Sequence, residues 1–359
     1  MKFVHIADMH FDTSFTTLTN KADLGDIRRL DQRKVFNKII NYIKENNIPY
    51  LFIAGDFYEH EYIRLSTIEY INNLFMQIPN TQIFITPGNH DPYLKNSFYN
   101  KFFWNENVHI FDSKMSVFEN EDLDIYGYGF NDFYYTNHDL ENMEIKNKEK
   151  LNILIAHGTL NASNNLEKEY NPISEKLIES KGFDYVALGH IHKPDYNNKQ
   201  DQRIVYPGST VSLGFDELGN HGMIVGDITK NSLKLEFIPM DNKEFIIQEI
   251  DVTDILDLDE LVTKINNIEF NENKYYKISL IGKRKFEIDM YKLNKLILNN
   301  NIIKVKNYTK LNYDLEKISK ESTLKGLFVK ELLEKLNNNP DDIQILENAL
   351  EIGLEILEK

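Results

Sequence analysis

Five short polar motifs, each placed directly after an apolar run, constrain this chain more than any other feature: Asp8-x-His10, Gly55-Asp56, Gly88-Asn89-His90-Asp91, His157-Gly158 and Gly189-His190-Ile191-His192. The runs, at 2–7, 50–54, 82–86, 151–156 and 184–188, are short, are bounded by Gly, Pro, Asn or Asp turn signals, and read as strands. Helical periodicity at about 27–46 and 62–78 separates the first three. Strands alternating with helices predict a layered α/β architecture, whose functional loops leave the C-terminal ends of the strands. The motifs fall at those ends.

Beyond residue 200 the pattern changes. RIVYPGS, HGMIVGDI and SLKLEFIPM suggest an antiparallel extension of the same sheet system and close a large domain at 1–240. Residues 241–315 read as a small α+β domain: FIIQEI, a helix from Asp257 to Ile265, YYKISLIG, KFEID, a helix through Leu293 and Leu296, and NIIKVKNY. Residues 316–359 read as a helical hairpin. One helix carries Leu327, Phe328, Leu332, Leu333 and Leu336, the other Ile343, Leu346, Leu350, Leu354 and Leu357. Asn339 as N-cap, Pro340 in the first helical position, and Asp341 with Asp342 near the positive helix end would start the second helix. The hairpin packs back on its own domain or docks a partner; amphipathicity alone does not choose.

Composition narrows the chemistry. With no cysteine among 359 residues, thiolate sites and disulfides are excluded, so a metal must be held by nitrogen and oxygen. The opening MKFVHIADMH carries His5 and Asp8 inside its alternating run, which no signal-peptide apolar region tolerates, so a cytoplasmic protein is expected. No apolar stretch approaches the roughly 20 residues of a membrane helix. A formal net charge of −15 argues against broad nucleic-acid binding, so any DNA path must be local, metal-assisted or completed by a partner.

Singly, each motif is weak: a Gly-Asp pair is usually a turn, and a lone histidine at a strand end is usually a satisfied polar residue. Together they bring seven suitable groups to one sheet face: the carboxylates of Asp8 and Asp56, the amide oxygen of Asn89, and the imidazoles of His10, His157, His190 and His192. Sharing one carboxylate gives each of two ions four protein ligands. Mixed nitrogen and oxygen ligation suits manganese, iron or zinc better than calcium. Two ions about 3.5 to 4 Å apart are the usual arrangement for activating water and clamping a phosphate ester.

In this order, the motifs resemble those of the calcineurin-like metallophosphoesterase superfamily. Within it, FVHIADMHFD, GDFYEH, TPGNHDP, LGHIHKP and YPGSTVSLGFDELGNHG are most similar to SbcD-type DNA-repair exonucleases, a resemblance covering roughly residues 1–240. It implies a layered β-sandwich flanked by helices, with the small α+β domain as a cap. One metal would be held by Asp8, His10, Asp56 and His192, the other by Asp56, Asn89, His157 and His190, with Asp56 bridging. His90 would be the catalytic histidine that assists the leaving oxygen, and a metal-bridging hydroxide would attack phosphorus in line. The resemblance further implies DNA as substrate, two divalent ions (manganese, with iron or zinc as alternatives), an SbcC-type coiled-coil ATPase partner and a homodimer.

A histidine acting as acid beside two cations needs an anionic neighbour. Glu59 is the candidate, although related phosphoesterases carry Asp or His there. Asp91 is assigned to holding its loop. His5, His60, His109, His138 and His221 are read as surface or structural, with His60 near enough to Glu59 to swing toward a phosphate. Gly282-Lys283-Arg284-Lys285 is placed at a hairpin turn, as an exposed basic tip or a merely solvated one. Phe57, Tyr58, Tyr93, Phe98, Tyr99, Phe102, Phe103 and Trp104 offer either base stacking or core packing. Two other readings remain: a phosphodiesterase acting on small nucleotides, favoured by the acidic balance, and a structural or regulatory subunit on a phosphoesterase scaffold, disfavoured by the complete ligand set.

Overall fold

The computed structural model describes residues 1–15, 24–134, 139–161, 171–199, 201–338 and 343–357. His138 and the Asn339 to Asp342 capping run lie outside them. Two compact units result, one of Met1–Ile247, Phe270–Lys277 and Asn301–Lys304, the other of Gln248–Glu269, Ile278–Asn300 and Val305–Lys359.

In chain order the first eleven strands are β1 (Lys2–Ile6), β2 (Tyr50–Ala54), β3 (Gln82–Thr86), β4 (Val108–Ile110), β5 (Ser116–Glu119), β6 (Leu123–Gly127), β7 (Leu151–His157), β8 (Tyr185–Gly189), β9 (Ile204–Val205), β10 (Gly222–Thr229) and β11 (Ser232–Pro239). They form two sheets, ordered β11-β10-β1-β2-β3-β4 and β5-β6-β7-β8-β9. In the first, β1 to β4 run parallel, and β10 and β11 add on antiparallel at the β1 edge, as the sequence suggests. In the second, β6 to β9 run parallel and β5 antiparallel. RIVYPGS departs from expectation: only Ile204 and Val205 form a strand, parallel to β8 in the second sheet.

Period-two alternation explains the layering. Val4, Ile6, Leu51, Ile53, Ile83 and Ile85 face one way, against α1 (Leu24–Glu45) and α2 (Leu65–Phe75), through Phe36, Ile39, Ile40, Ile68 and Phe75. Phe3, Phe52 and Phe84 face the other way, against Ile125, Ile153, Ile155 and Tyr185 of the second sheet. The far side of that sheet packs Leu154, Val186 and Leu188 with Ile178 of α5 (Glu175–Lys181), beyond two one-turn helices, α3 (Phe98–Lys101) and α4 (Asp139–Asn142). Helix, sheet, sheet and helix thus stack in layers. Strands buried on both faces read as unbroken apolar runs, as seen here.

The later chain forms a sheet of β12 (Glu244–Asp251), β13 (Lys274–Ile281) and β15 (Ile302–Asn307), and a short pair of β14 (Lys283–Arg284) with β16 (Lys310–Leu311). Helix α6 (Leu258–Asn266) starts at Asp257, whose side chain accepts from the Glu260 N–H, and α7 (Met290–Leu296) starts at Asp289, which accepts from Tyr291 and Lys292. That second cap explains why KFEID fails as a strand: Asp289 turns into the helix, and only Lys283 and Arg284 pair, parallel to Lys310 and Leu311. The basic run is therefore no hairpin tip, and the Arg284 guanidinium donates to the Thr309 carbonyl at 2.8 Å. A one-turn helix α8 (Leu315–Ile318) precedes α9 (Leu324–Asn338) and α10 (Ile343–Leu357), which pack Val329 and Leu332 against Leu350 and Leu354. Leu327, expected in that seam, is exposed, as are Leu324, Ile345, Ile352 and Ile356. Among the described residues no helix is long and apolar enough to cross a membrane.

Between the facing sheets, fully buried His5 bonds through Nδ1 to the Tyr185 hydroxyl at 2.9 Å. Burial holds its pKa down at about 3. The unfolded chain takes up a proton there near pH 6.5, which the folded chain refuses until about pH 3, so stability at this residue is intact above pH 7 and is lost as pH falls through that interval. The deficit at pH 5 is about 2 kcal/mol. His5→Gln should lose correspondingly less stability between pH 7.5 and 5 than the parent chain, measured by urea unfolding; equal losses would mean that His5 is not buried neutral.

Candidate metal centre

The five motif-bearing strands are all parallel members of their sheets, so their C-terminal ends point to one rim of the sandwich. There the backbone turns sharply. Asp8, His10, Asp56 and His190 take positive φ angles of 51°, 48°, 49° and 105°, conformations in which an L side chain is strained by about 1 kcal/mol or more. Surrounding bonds hold them. The Asp8 and His10 N–H groups donate to the Gly55 and Asp56 carbonyls at 3.1 and 2.9 Å, and the buried Gln32 amide donates to the Met9 and His10 carbonyls.

Two glycines are required by close approach. A β-carbon on Gly55 would lie 2.3 Å from His157 Nδ1, and one on Gly88 would lie 2.3 Å from Asp56 Oδ1. Asp91 braces the same corner, accepting from the N–H groups of Asp56, Phe57 and Gly88 and from the Tyr99 hydroxyl. Its loop-holding assignment agrees with these contacts. Burial, reinforced by Asp56, lifts the Asp91 carboxyl to about 6.

Ligand-bearing atoms converge in three groups, Asp8 with His10 and His192, His10 with Asp56 and His90, and Asp56 with His157 and His190, each within 4.8 Å internally. His10 and Asp56 each belong to two of these groups among the described residues. His10 directs Nδ1 to Glu59 Oε1 at 2.8 Å and His192 directs Nδ1 to Glu217 Oε1 at 2.5 Å. An ionised carboxylate only accepts, so each Nδ1 carries the proton, and the two Nε2 atoms, 3.2 Å apart, would oppose lone pairs if both rings were neutral. On the other side, His157 donates Nδ1–H to the Ala54 carbonyl at 2.9 Å, aiming Nε2 at Asp56 Oδ2 and Asn89 Oδ1, 3.2 and 3.1 Å away.

Each cluster therefore calls for positive charge among its nitrogens and oxygens. Protons supply it in part. Burial disfavours charged imidazoles, yet hydrogen bonding to Glu217 and the charge of Asp8 bring His192 up to about 9, and Asp56 brings His157 up to about 9. Burial also opposes charge on Asp56, but His157 holds that carboxyl well below the usual range, whereas burial raises Asp8. His190, down at about 4 through burial and the charge of His157, stays a neutral donor. Divalent cations would satisfy both clusters at once, and this donor set fits them: neutral imidazole nitrogens, carboxylates, one amide oxygen, and second nitrogens tied to carboxylate or carbonyl partners.

His90 belongs to the group with His10 and Asp56, and Glu59 reaches it. Glu59 Oε2 accepts from His90 Nδ1 at 2.9 Å while Oε1 accepts from His10, so one carboxylate spans both rings. Burial would raise Glu59, but these two hydrogen bonds hold it at about 2; burial would lower His90, but Glu59 and Asp56 bring it up to about 9. Sequence reasoning missed Glu217, whose Oε2 also accepts from Ser209 Oγ and the Leu213 N–H. It lies inside YPGSTVSLGFDELGNHG, but nothing local marks it as a partner of His192. Gln32 was missed likewise. Of the histidines set aside, His5 and His221 are buried and bonded within the fold, His109 bonds Gln82, and His60 donates its backbone N–H to the His90 carbonyl. Of the eight aromatics, Phe57, Tyr58 and Tyr99 are core, Tyr93, Phe98, Phe102 and Trp104 pack against it, and Phe103 alone is 95% exposed.

A family model described as calcineurin-like phosphoesterase matches residues 1–194. The chain is 26% identical over 249 residues to an uncharacterized metallophosphoesterase, YhaO, of Bacillus subtilis, a match covering 66% of this chain and 60% of that protein. It is also 26% identical over 341 residues to the SbcD component of the nuclease SbcCD of Staphylococcus epidermidis, covering 83% of this chain and 84% of that one. Among solved structures, purple acid phosphatase PPD1 of yellow lupin aligns with a TM-score of 0.40 at 13% identity, over 67% of this chain and 51% of that one.

If Glu217 fixes the tautomer and angle of His192, Glu217→Ala should weaken manganese binding by about 10- to 100-fold, read by calorimetric titration of metal-stripped protein. Unaltered affinity with an unaltered far-UV spectrum would remove Glu217 from the site.

Proposed function

The chain belongs to the calcineurin-like phosphoesterase family, and from that premise we propose that it is a two-metal phosphodiesterase acting on DNA, an SbcD-type exonuclease or endonuclease subunit of DNA repair. The observation that carries the metal-dependent reading is the pair of facing His10 and His192 nitrogens at 3.2 Å, each ring anchored from behind by a carboxylate. Asp8, His10, Asp56 and His192 would hold one ion and Asp56, Asn89, His157 and His190 the other. Manganese is the preferred occupant, with iron or zinc as alternatives. When bound, such ions supply an acidified water and a positive clamp on the phosphate.

The chain's own residues do the rest. Hydrolysis places the water oxygen on phosphorus and a proton on the leaving oxygen, and His90 delivers that proton or stabilises the oxygen. Glu59 holds the His90 ring through Nδ1, which keeps the imidazole oriented and favours its protonated form. DNA as substrate is supported by the likeness to the Staphylococcus epidermidis nuclease component, which extends over most of both chains. On the same likeness, an SbcC-type ATPase and a second copy of this chain are the proposed partners. The exposed Leu324, Leu327, Ile345, Ile352 and Ile356 on the C-terminal helices support docking of the ATPase there. A small-nucleotide phosphodiesterase is the second reading, favoured by the net charge of −15.

Metal-stripped protein given back manganese should release labelled nucleotide from linear duplex DNA, and Asp56→Asn should lose most of that release, because the carboxylate proposed to serve both ions is gone. Hydrolysis of small phosphodiesters with DNA untouched, even with the ATPase present, would transfer the assignment to the second reading.

A further inference from the structure

Beside the candidate acid a small cavity of about 250 Å³ opens from the edge of the metal centre. Its walls are Glu59, Asn89 and His90 of the candidate centre, together with His60, Glu61, Phe133 and Tyr134. The His60 and Phe133 rings meet edge to face, at 70° with centroids 5.9 Å apart, so each steadies the other in the wall. The His60 backbone is tied to His90 by its N–H to the His90 carbonyl at 2.9 Å, which fixes one wall relative to the acid. Tyr134 is 79% exposed at the mouth.

Size and charge define what fits. The cavity is below the roughly 300 to 1,000 Å³ of drug-sized ligand sites, enough for one ring system and not for a base pair. The exposed Glu61 carboxylate disfavours a second phosphate, while aromatic walls attract a flat neutral ring. His90 forms a wall, so a group held here lies next to the oxygen that His90 would serve.

We infer that His60, Phe133 and Tyr134 form a stacking subsite for one unpaired nucleobase, that of the nucleoside leaving with the oxygen next to His90. The inference rests on the phosphodiesterase reading and deepens it: the nucleotide beyond the scissile phosphate must be out of its pair, in a single strand or a frayed end, before the bond is cut. Glu61 supplies an acceptor for a ring amine.

The test uses the dinucleoside phosphate d(ApA) and its two analogues in which one or the other base is replaced by hydrogen. In the full-length protein with manganese, kcat/KM should fall about tenfold for one of the two analogues, within the range of a single base stack. Phe133→Leu and Tyr134→Ala should erase that difference while leaving the rate on the affected analogue unchanged. Binding is read separately, without turnover, as quenching of a 2-aminopurine dinucleotide by metal-stripped protein, present in the parent chain and lost in Phe133→Leu. Equal hydrolysis of all three substrates with no quenching would overturn the subsite and leave the phosphodiesterase standing. Quenching lost in Phe133→Leu, with no hydrolysis of the dinucleotides, would uphold the subsite and count against action on small phosphodiesters; absence of quenching in the parent chain would overturn the subsite, and the activity on DNA is decided by the duplex assay with the ATPase present.

Discussion

Everything at the motif-bearing rim depends on how closely the two sheets approach at their strand ends. A β-carbon on Gly189 would lie 1.8 Å from the Ala54 carbonyl oxygen, so the end of β8 presses directly on the end of β2. Ala54 in turn accepts from His157 Nδ1, linking β7 to the same point. Three strands from two sheets are thereby pinned within contact distance, and the loops that follow them have nowhere to go but into one shared space. Sheets packed at the usual 10 Å, with ordinary side chains at these positions, would hold the same ligands too far apart to act together.

Much of this was legible in advance because buried parallel strands and loops rich in Asp, Asn and His both leave strong local marks. The five apolar runs and their polar ends gave the strands within a residue or two, and Asp8, His10, Asp56, Asn89, His157, His190 and His192 do meet. Glu59 could be suspected from the need for an anion beside His90. Glu217 could not, because its link to His192 arises from the path of the chain after β9, and no periodicity encodes that path. The failed strand at KFEID is a competition of similar preferences: alternating apolar residues favour a strand, while Asp289 favours a helix start, and the cap prevailed. RIVYPGS was misplaced because two residues of strand carry too little pattern to choose a sheet.

Electrostatics divides the molecule into a global and a local problem. The chain as a whole is acidic, which disfavours a polyanion by long-range forces. Within the rim, carboxylates are instead consumed as hydrogen-bond acceptors for imidazoles: Glu59 for His10 and His90, Glu217 for His192, Asp56 for His157. Their charge is spent on orientation, and the field met by a phosphate there is set by whatever positive charge the nitrogens have gathered.

The left-handed turns at Asp8, His10, Asp56 and His190 carry a further consequence, for attempts to engineer this protein. Glycine or asparagine would sit in those turns with less strain than aspartate or histidine. Glycine at these four places would relieve that strain and, on the proposed function, remove groups that the chemistry needs. Robustness and chemistry compete here at the same backbone angles, so any improved variant must gain its stability elsewhere, in the helix layers and the loops away from the rim.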